Sequence, residues 1–188
     1  MSMRKLAKNI LALEGSHTLS KVRFAKTIYF VHKELIRNDL LAKDSIQYIR
    51  MPLGPVPFGF MEITKSCPEI TSTKAKTGLA YETENFSTRA KFDGTEQEKT
   101  VIVGTLETLR KFQTSNLVDT SHKDPSWLNH QNSERYYITD DDMKNDLSIL
   151  ETLFTNTVDD EEDKLQASLM RGMIKDIVSE STKLEYPV

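Results

Sequence analysis

Four histidines, one cysteine and two acidic runs are the side chains of this 188-residue chain best suited to chemistry. His17, His32, His122 and His130 stand at spacings that pair none of them with a second histidine or cysteine as a zinc site requires. His32 falls on the apolar face of a predicted helix, where a hydrogen-bonded core residue is the simpler reading than a ligand. Cys67 is the single cysteine, which excludes an internal disulfide and a Cys-x-x-Cys site. Next to Pro68 it could be reactive, but a lone thiol is more commonly a small buried apolar group. The acidic runs Asp140–Asp142 and Asp159–Asp163 lack calcium-loop spacing. Both stand where a helix is expected to begin, and the helix dipole accounts for them. Phosphate-binding glycine loops, a nucleophile elbow and a His-Glu-x-x-His helix are all missing. These observations point away from an enzyme and from a metal or cofactor protein. They favour a protein that acts by binding.

The strongest local oddity is Ser121-His122-Lys123-Asp124-Pro125-Ser126-Trp127, which holds the only tryptophan. A short helix ending in His122, a tight turn and then Trp127 predict a structured corner. The expectation is that Trp127 plugs the core, its indole N–H on a nearby acceptor, with His122 bonding across the corner. The competing reading makes Trp127 a partner anchor, since tryptophan often dominates interface energy. A second unusual stretch is Met51–Phe60. With three prolines and a glycine within six residues, it is expected to be irregular but, through Leu53 and Val56, packed. Prolines reduce the entropy lost on ordering a contact surface, so Leu53, Gly54, Pro55, Val56 and Pro57 are candidates for partner binding; the simpler reading of the prolines is that they only set the path from strand to helix. Arg50 beside them could offer a planar, multidentate donor to an acidic partner.

The elements that must position these residues centre on Leu19–Arg37. Val22, Ala25, Ile28, Tyr29, His32 and Leu35 share one helical face, and Phe24, Ile28, Val31 and Leu35 a second. That arc is wider than a surface helix needs, so the helix should be packed from at least two sides. Lys21, Arg23, Lys26, Lys33 and Arg37 are left as a narrow wet strip, with Thr18 as the expected N-cap. A first helix capped by Ser2 and stopped by Gly15 should fold back on it. Ile46–Met51 alternates like a strand, and Pro57 suits the first turn of a helix over Phe58–Lys65. Glu69–Lys74 and Leu79–Asn85 predict a hairpin about Lys76-Thr77-Gly78, joined by Ile46–Met51 in one small sheet. Ile70, Leu79 and Tyr81 are the expected inward residues. Thr95-Glu96-Gln97-Glu98 reads as a capping box before a helix that buries Ile102, Leu106, Leu109 and Phe112. A short helix over Thr114–His122 follows, then a loop over Asn129–Tyr137 and a helix over Asp140–Phe154. The last helix opens at Asp159–Asp163. Leu165, Leu169 and Met173 form its stripe, widened by Met170, Ile174 and Ile177. The fold class is therefore α+β, mainly helical, around the central helix, with a small antiparallel sheet or hairpin.

Composition suits a globular protein, with 38% hydrophobic and 28% charged residues. No apolar run approaches the ~20 residues of a membrane helix, and the N-terminus lacks a secretory pattern, so a reducing cytoplasm is expected. Charge is uneven. Met1–Phe92 holds 15 Lys and Arg against 8 Asp and Glu, a net +7, and Asp93–Val188 holds 10 against 20, a net −10. Two solvated faces of opposite sign explain this more simply than a charged partner.

Three stretches, in order, carry a resemblance: Lys21–His32, Met51–Pro57, and the helix from Thr95 leading to Ser121-His122 and Trp127. Together they resemble the Panacea domain, the SocA-like antitoxin family, also met as phage-associated proteins. Lys26, Ile28, Tyr29 and Phe30 match its early helix, Gly54, Pro55, Val56 and Pro57 its Gly-Pro-Val-Pro segment, and His122 and Trp127 its later corner. Arg23-Phe24-Ala25 departs from the usual leucine-rich start. The resemblance spans roughly Met3 to Phe154. It implies a domain over residues 1–155 and leaves 156–188 as an acidic amphipathic helix, docked on the domain or on a partner. It further implies an antitoxin that binds a toxin encoded nearby, with Lys26, Tyr29, Phe30, His122 and Trp127 as structural motif residues. A nucleic-acid-binding regulator and an adaptor delivering a partner to a protease are the alternatives.

Overall fold

The computed structural model describes residues 1–77 and 81–144. The chain begins with helix α1 (Met3–Glu14), a two-residue strand β1 (Leu19–Ser20) and helix α2 (Lys21–Arg37). Strands β2 (Tyr48–Met51) and β3 (Gly54–Pro57) form a tight hairpin before helix α3 (Phe60–Ser66). Strands β4 (Ile70–Thr77) and β5 (Tyr81–Thr88) form a longer one. Helices α4 (Glu96–Arg110), α5 (Thr114–His122) and α6 (Pro125–Leu128), strand β6 (Arg135–Tyr136) and helix α7 (Asp140–Lys144) complete the described chain. The architecture is α+β and mainly helical.

Helix α2 is the axis. Every residue from Phe24 to Ile36 is buried, with α1, α4, α5, β3 and β5 packed around it. The expected wet strip is thus absent along most of the helix: Lys26 and Lys33 are 1% and 0% exposed. Each lysine is tolerated inside because it meets an acceptor at its tip. The helix also starts later than its pattern suggested. Leu19 and Ser20 pair with Phe86 and Asn85 of β5, so Ser20, not Thr18, occupies the N-cap. Sheet pairing there takes the backbone that a longer helix would have used. Phe24, Phe60 and Phe86 meet in an aromatic cluster with ring centroids 5.5–6.1 Å apart.

Two predicted caps hold. Ser2 Oγ accepts the Lys5 N–H, and Thr95 and Glu98 form a reciprocal capping box. The sheet differs from expectation in three respects. There are two three-stranded antiparallel sheets, ordered β1-β5-β4 and β3-β2-β6, so Ile46–Met51 does not join the long hairpin. Lys76 and Thr77 lie in strand β4, not in a turn; Gly78 and Leu79 fall outside the described residues. Asn129–Tyr137 is not all loop, because β6 pairs with β2.

The proline-rich stretch is the largest departure. Gly54–Pro57 is a regular strand, with Val56 opposite Ile49 and Pro57 opposite Tyr48. Phe58 N–H donates to Gln47 O. Antiparallel ladders use alternate residues, so the nitrogens of Pro55 and Pro57 face away from β2 and no ladder bond is lost. Pro57 ends that strand instead of opening a helix, and α3 begins at Phe60 behind Gly59, whose φ is +77°. The helix expected over Asp140–Phe154 is described only to Lys144, and the one expected after Asp159 lies outside the described residues.

Candidate functional site

The β2–β3 hairpin turns through Pro52 and Leu53, and Gly54 takes the left-handed φ of +88° that closes it. Gly54 is also a point of close approach. A Cβ there would run into Ser121 Oγ and come within 2.6 Å of Lys26 Nζ. Lys26 Nζ donates to Pro55 O at 2.8 Å, which ties β3 to α2. Burial pushes the Lys26 ammonium down to about 7, because the charged form loses its water.

About two helix turns along α2 from Lys26, Lys33 reaches the α5–α6 corner. Its Nζ lies 2.6 Å from Asp124 Oδ2, with both side chains essentially buried. Asp124 Oδ1 accepts from Ser126 N–H and Ser126 Oγ–H, and Tyr29 Oη shares a hydrogen bond with Ser126 Oγ. Burial, and secondly the nearby Asp124 carboxylate, holds the Tyr29 phenol well above its ordinary value. His32 is equally internal. Its Nδ1 bonds Tyr48 Oη at 2.9 Å and its Nε2 lies 3.0 Å from Ser45 Oγ, and burial lowers it to about 4. It is the hydrogen-bonded core residue expected. Cys67 is buried and donates to Glu69 Oε2 at 3.1 Å. Among the described residues no group of three or more His, Cys, Asp or Glu side chains could hold a metal.

Trp127 does not plug the core. It is half-buried at the surface, where its indole N–H donates to Met51 O at 3.3 Å. The Arg50 guanidinium lies 3.9 Å from its ring centroid on one side. The His122 ring lies 4.4 Å away, stacking with a tilt of 31° where a hydrogen bond was expected. His122 Nε2 is buried and has no hydrogen-bond partner. Burial, then the charge of Lys26, lowers its pKa. Arg50 is therefore engaged within the molecule, through Trp127 and through Nη1–H to Asn132 Oδ1 at 3.3 Å. Phe30 is fully buried beside Tyr29, centroids 5.6 Å apart.

The structure thus gathers Lys26, Tyr29, Gly54, Pro55, His122 and Trp127 into one continuous assembly; Pro57 is buried below it against Tyr48. Leu53 stays outside, 54% exposed at the tip, with Met51 at 39% beside it; Phe58, at the other end of β3, is 41% exposed and carries the Arg135 guanidinium 3.9 Å over its ring. Val56, Leu53 and Phe60, with Val22 and Ala25 of α2, wall an apolar groove of about 370 Å³. Sequence reasoning missed Lys33, Asp124, Ser121 and Ser126, and the exposure of Met51 and Phe58. The seven-residue spacing of Lys26 and Lys33 was the available signal, since it places both lysines on one helical face.

The family model for "Antitoxin SocA-like, Panacea domain" matches residues 24–128. The chain belongs to this SocA-like family. The Panacea match holds the whole anchor set, from Lys26 through Gly54–Pro57 to Trp127, together with Lys33 and Asp124. It is narrower than Met3–Phe154, leaving α1, β1, β6 and α7 outside. Comparison with curated proteins and with solved structures finds no match. Among the described residues no helix is long and apolar enough to cross a membrane.

Proposed function

We propose that this chain is an antitoxin that neutralises a cognate toxin, encoded nearby, by direct binding through the β2–β3 hairpin. The observation that supports this is the contrast between tip and base. Met51 and Leu53 are exposed apolar side chains at the tip, while the backbone beneath them is pinned by Lys26, Gly54 and Trp127. Such a surface loses little freedom when a partner covers it. The edge of β3 that faces away from β2 offers no N–H at Pro55 or Pro57, and its Pro55 carbonyl is already taken by Lys26 of α2. A toxin therefore docks here by side-chain contact and not by adding a strand. No catalytic or cofactor role is assigned to the chain.

The test is co-expression with the adjacent gene product, with growth and pull-down as readouts. Growth rescue with a stable complex is expected. Leu53→Asp should abolish both while leaving the melting temperature unchanged, because Leu53 packs little of the core. Rescue without a stable complex would overturn direct masking in favour of delivery to a protease. A harmless neighbour, together with tight DNA binding that weakens steeply with salt, would overturn the antitoxin reading in favour of a regulator.

A further inference from the structure

The apolar groove does not end at α2. Across Lys21 and Val22 it continues into a second depression of about 550 Å³, bounded by Met61, Lys65, Lys74 and Glu84. Glu84 is the one carboxylate there, and it already accepts the Ser72 hydroxyl at 2.6 Å. The two depressions together form a trough that is apolar at one end and rich in lysine at the other. The Lys26 stem joins the apolar wall while its Nζ turns away to Pro55 O.

The chain beyond Lys144 carries the same order of chemistry. Asp159, Asp160, Glu161, Glu162 and Asp163 are followed at once by the stripe Leu165, Leu169 and Met173. We propose that in the free protein residues 159–177 lie in this trough, with the acidic run against Lys21 and Lys65 and the stripe over the groove. Opposite charges select the direction in which the segment lies, and burial of the stripe removes apolar surface from water on both sides. The tether is long enough: Lys144 to Asp159 can span up to ~50 Å extended. A short tether also keeps the segment at a local concentration that a dilute second copy does not reach. This goes beyond the antitoxin reading and does not rest on it, because it concerns the free protein. If both hold, toxin and tail compete for one surface.

The test places the photo-reactive residue p-benzoylphenylalanine at the exposed position Leu53 of the full chain, without any toxin. Irradiation at low micromolar concentration should give a cross-link that migrates as monomer and maps to the tryptic peptide Leu165–Arg171. Neutralising the run (Asp159→Asn, Asp160→Asn, Glu161→Gln, Glu162→Gln, Asp163→Asn) should abolish it, as should Leu165→Asp. A cross-link found only in a dimer band would make a second copy the occupant and overturn the proposal. So would no cross-link, cross-links only to other peptides, or a yield unchanged by neutralisation. None of these results would bear on toxin rescue, which is measured separately.

Discussion

Lys26 gives up part of its proton population when the chain folds. Its ordinary value is ~10.4, and burial brings it to about 7. A base whose folded pKa lies below its unfolded one binds fewer protons when folded, so stability rises with pH between those two values. This contribution is absent below about 7. His32, brought to about 4, acts in the same sense over a lower window: stability falls as pH drops from ~6.5 toward 4. We expect urea midpoints to climb between about pH 7 and ~10, and Lys26→Met to flatten that climb while leaving the acid-side fall in place. Trp127 belongs to the same scale. Because it is half-exposed, Trp127→Ala should cost ~1–3 kcal/mol, through lost cation–π contact with Arg50 and lost packing, against the ~3–5 of a core tryptophan. Chemical denaturation decides between the two. The type of each motif residue was legible in the sequence, but its exposure was not, since burial depends on what arrives from elsewhere in the chain.

Among the elements, α2 and the β2–β3 hairpin depend on different physics. The apolar arc of α2 announced a buried helix, and Ile28 is indeed 0% exposed. Ile28→Asp should leave no cooperative unfolding transition, because an unpaired carboxylate there has no water and no partner. A soluble variant with a sharp thermal melt would contradict that placement. The hairpin is held by backbone geometry. Gly54→Ala should destabilise by ~1–3 kcal/mol from its left-handed φ alone, with more from the approach to Ser121 and Lys26. A cost near zero in a denaturant titration would show that the turn can rearrange. Its strand character was hidden because three prolines read as breakers. Pro55 and Pro57 are spaced by two, and only pairing with β2 shows that both nitrogens face outward.

At the scale of the whole molecule, the Lys33–Asp124 pair joins the basic first half of the chain to the acidic second half. Asp124→Ala should cost ~3–5 kcal/mol, since it takes the carboxylate away from a buried ammonium and from the Ser126 N–H and hydroxyl, whereas adding Lys33→Met should recover the ammonium's share but not that of the Ser126 bonds. Equal urea midpoints for the single and double variants would show that the pair is not the cause. The sequence by itself determined the mainly helical α+β class, the central helix, the caps at Ser2 and Thr95 and the family, because periodicity, capping and short motifs are local. Only the tertiary structure decided that Lys26 and Lys33 lie inside, that Arg50 is spent on Trp127, that there are two sheets, and that Leu53 and Met51 stand beside an apolar groove. Each of these depends on contacts between residues tens of positions apart, and such contacts leave no spacing to read along the chain.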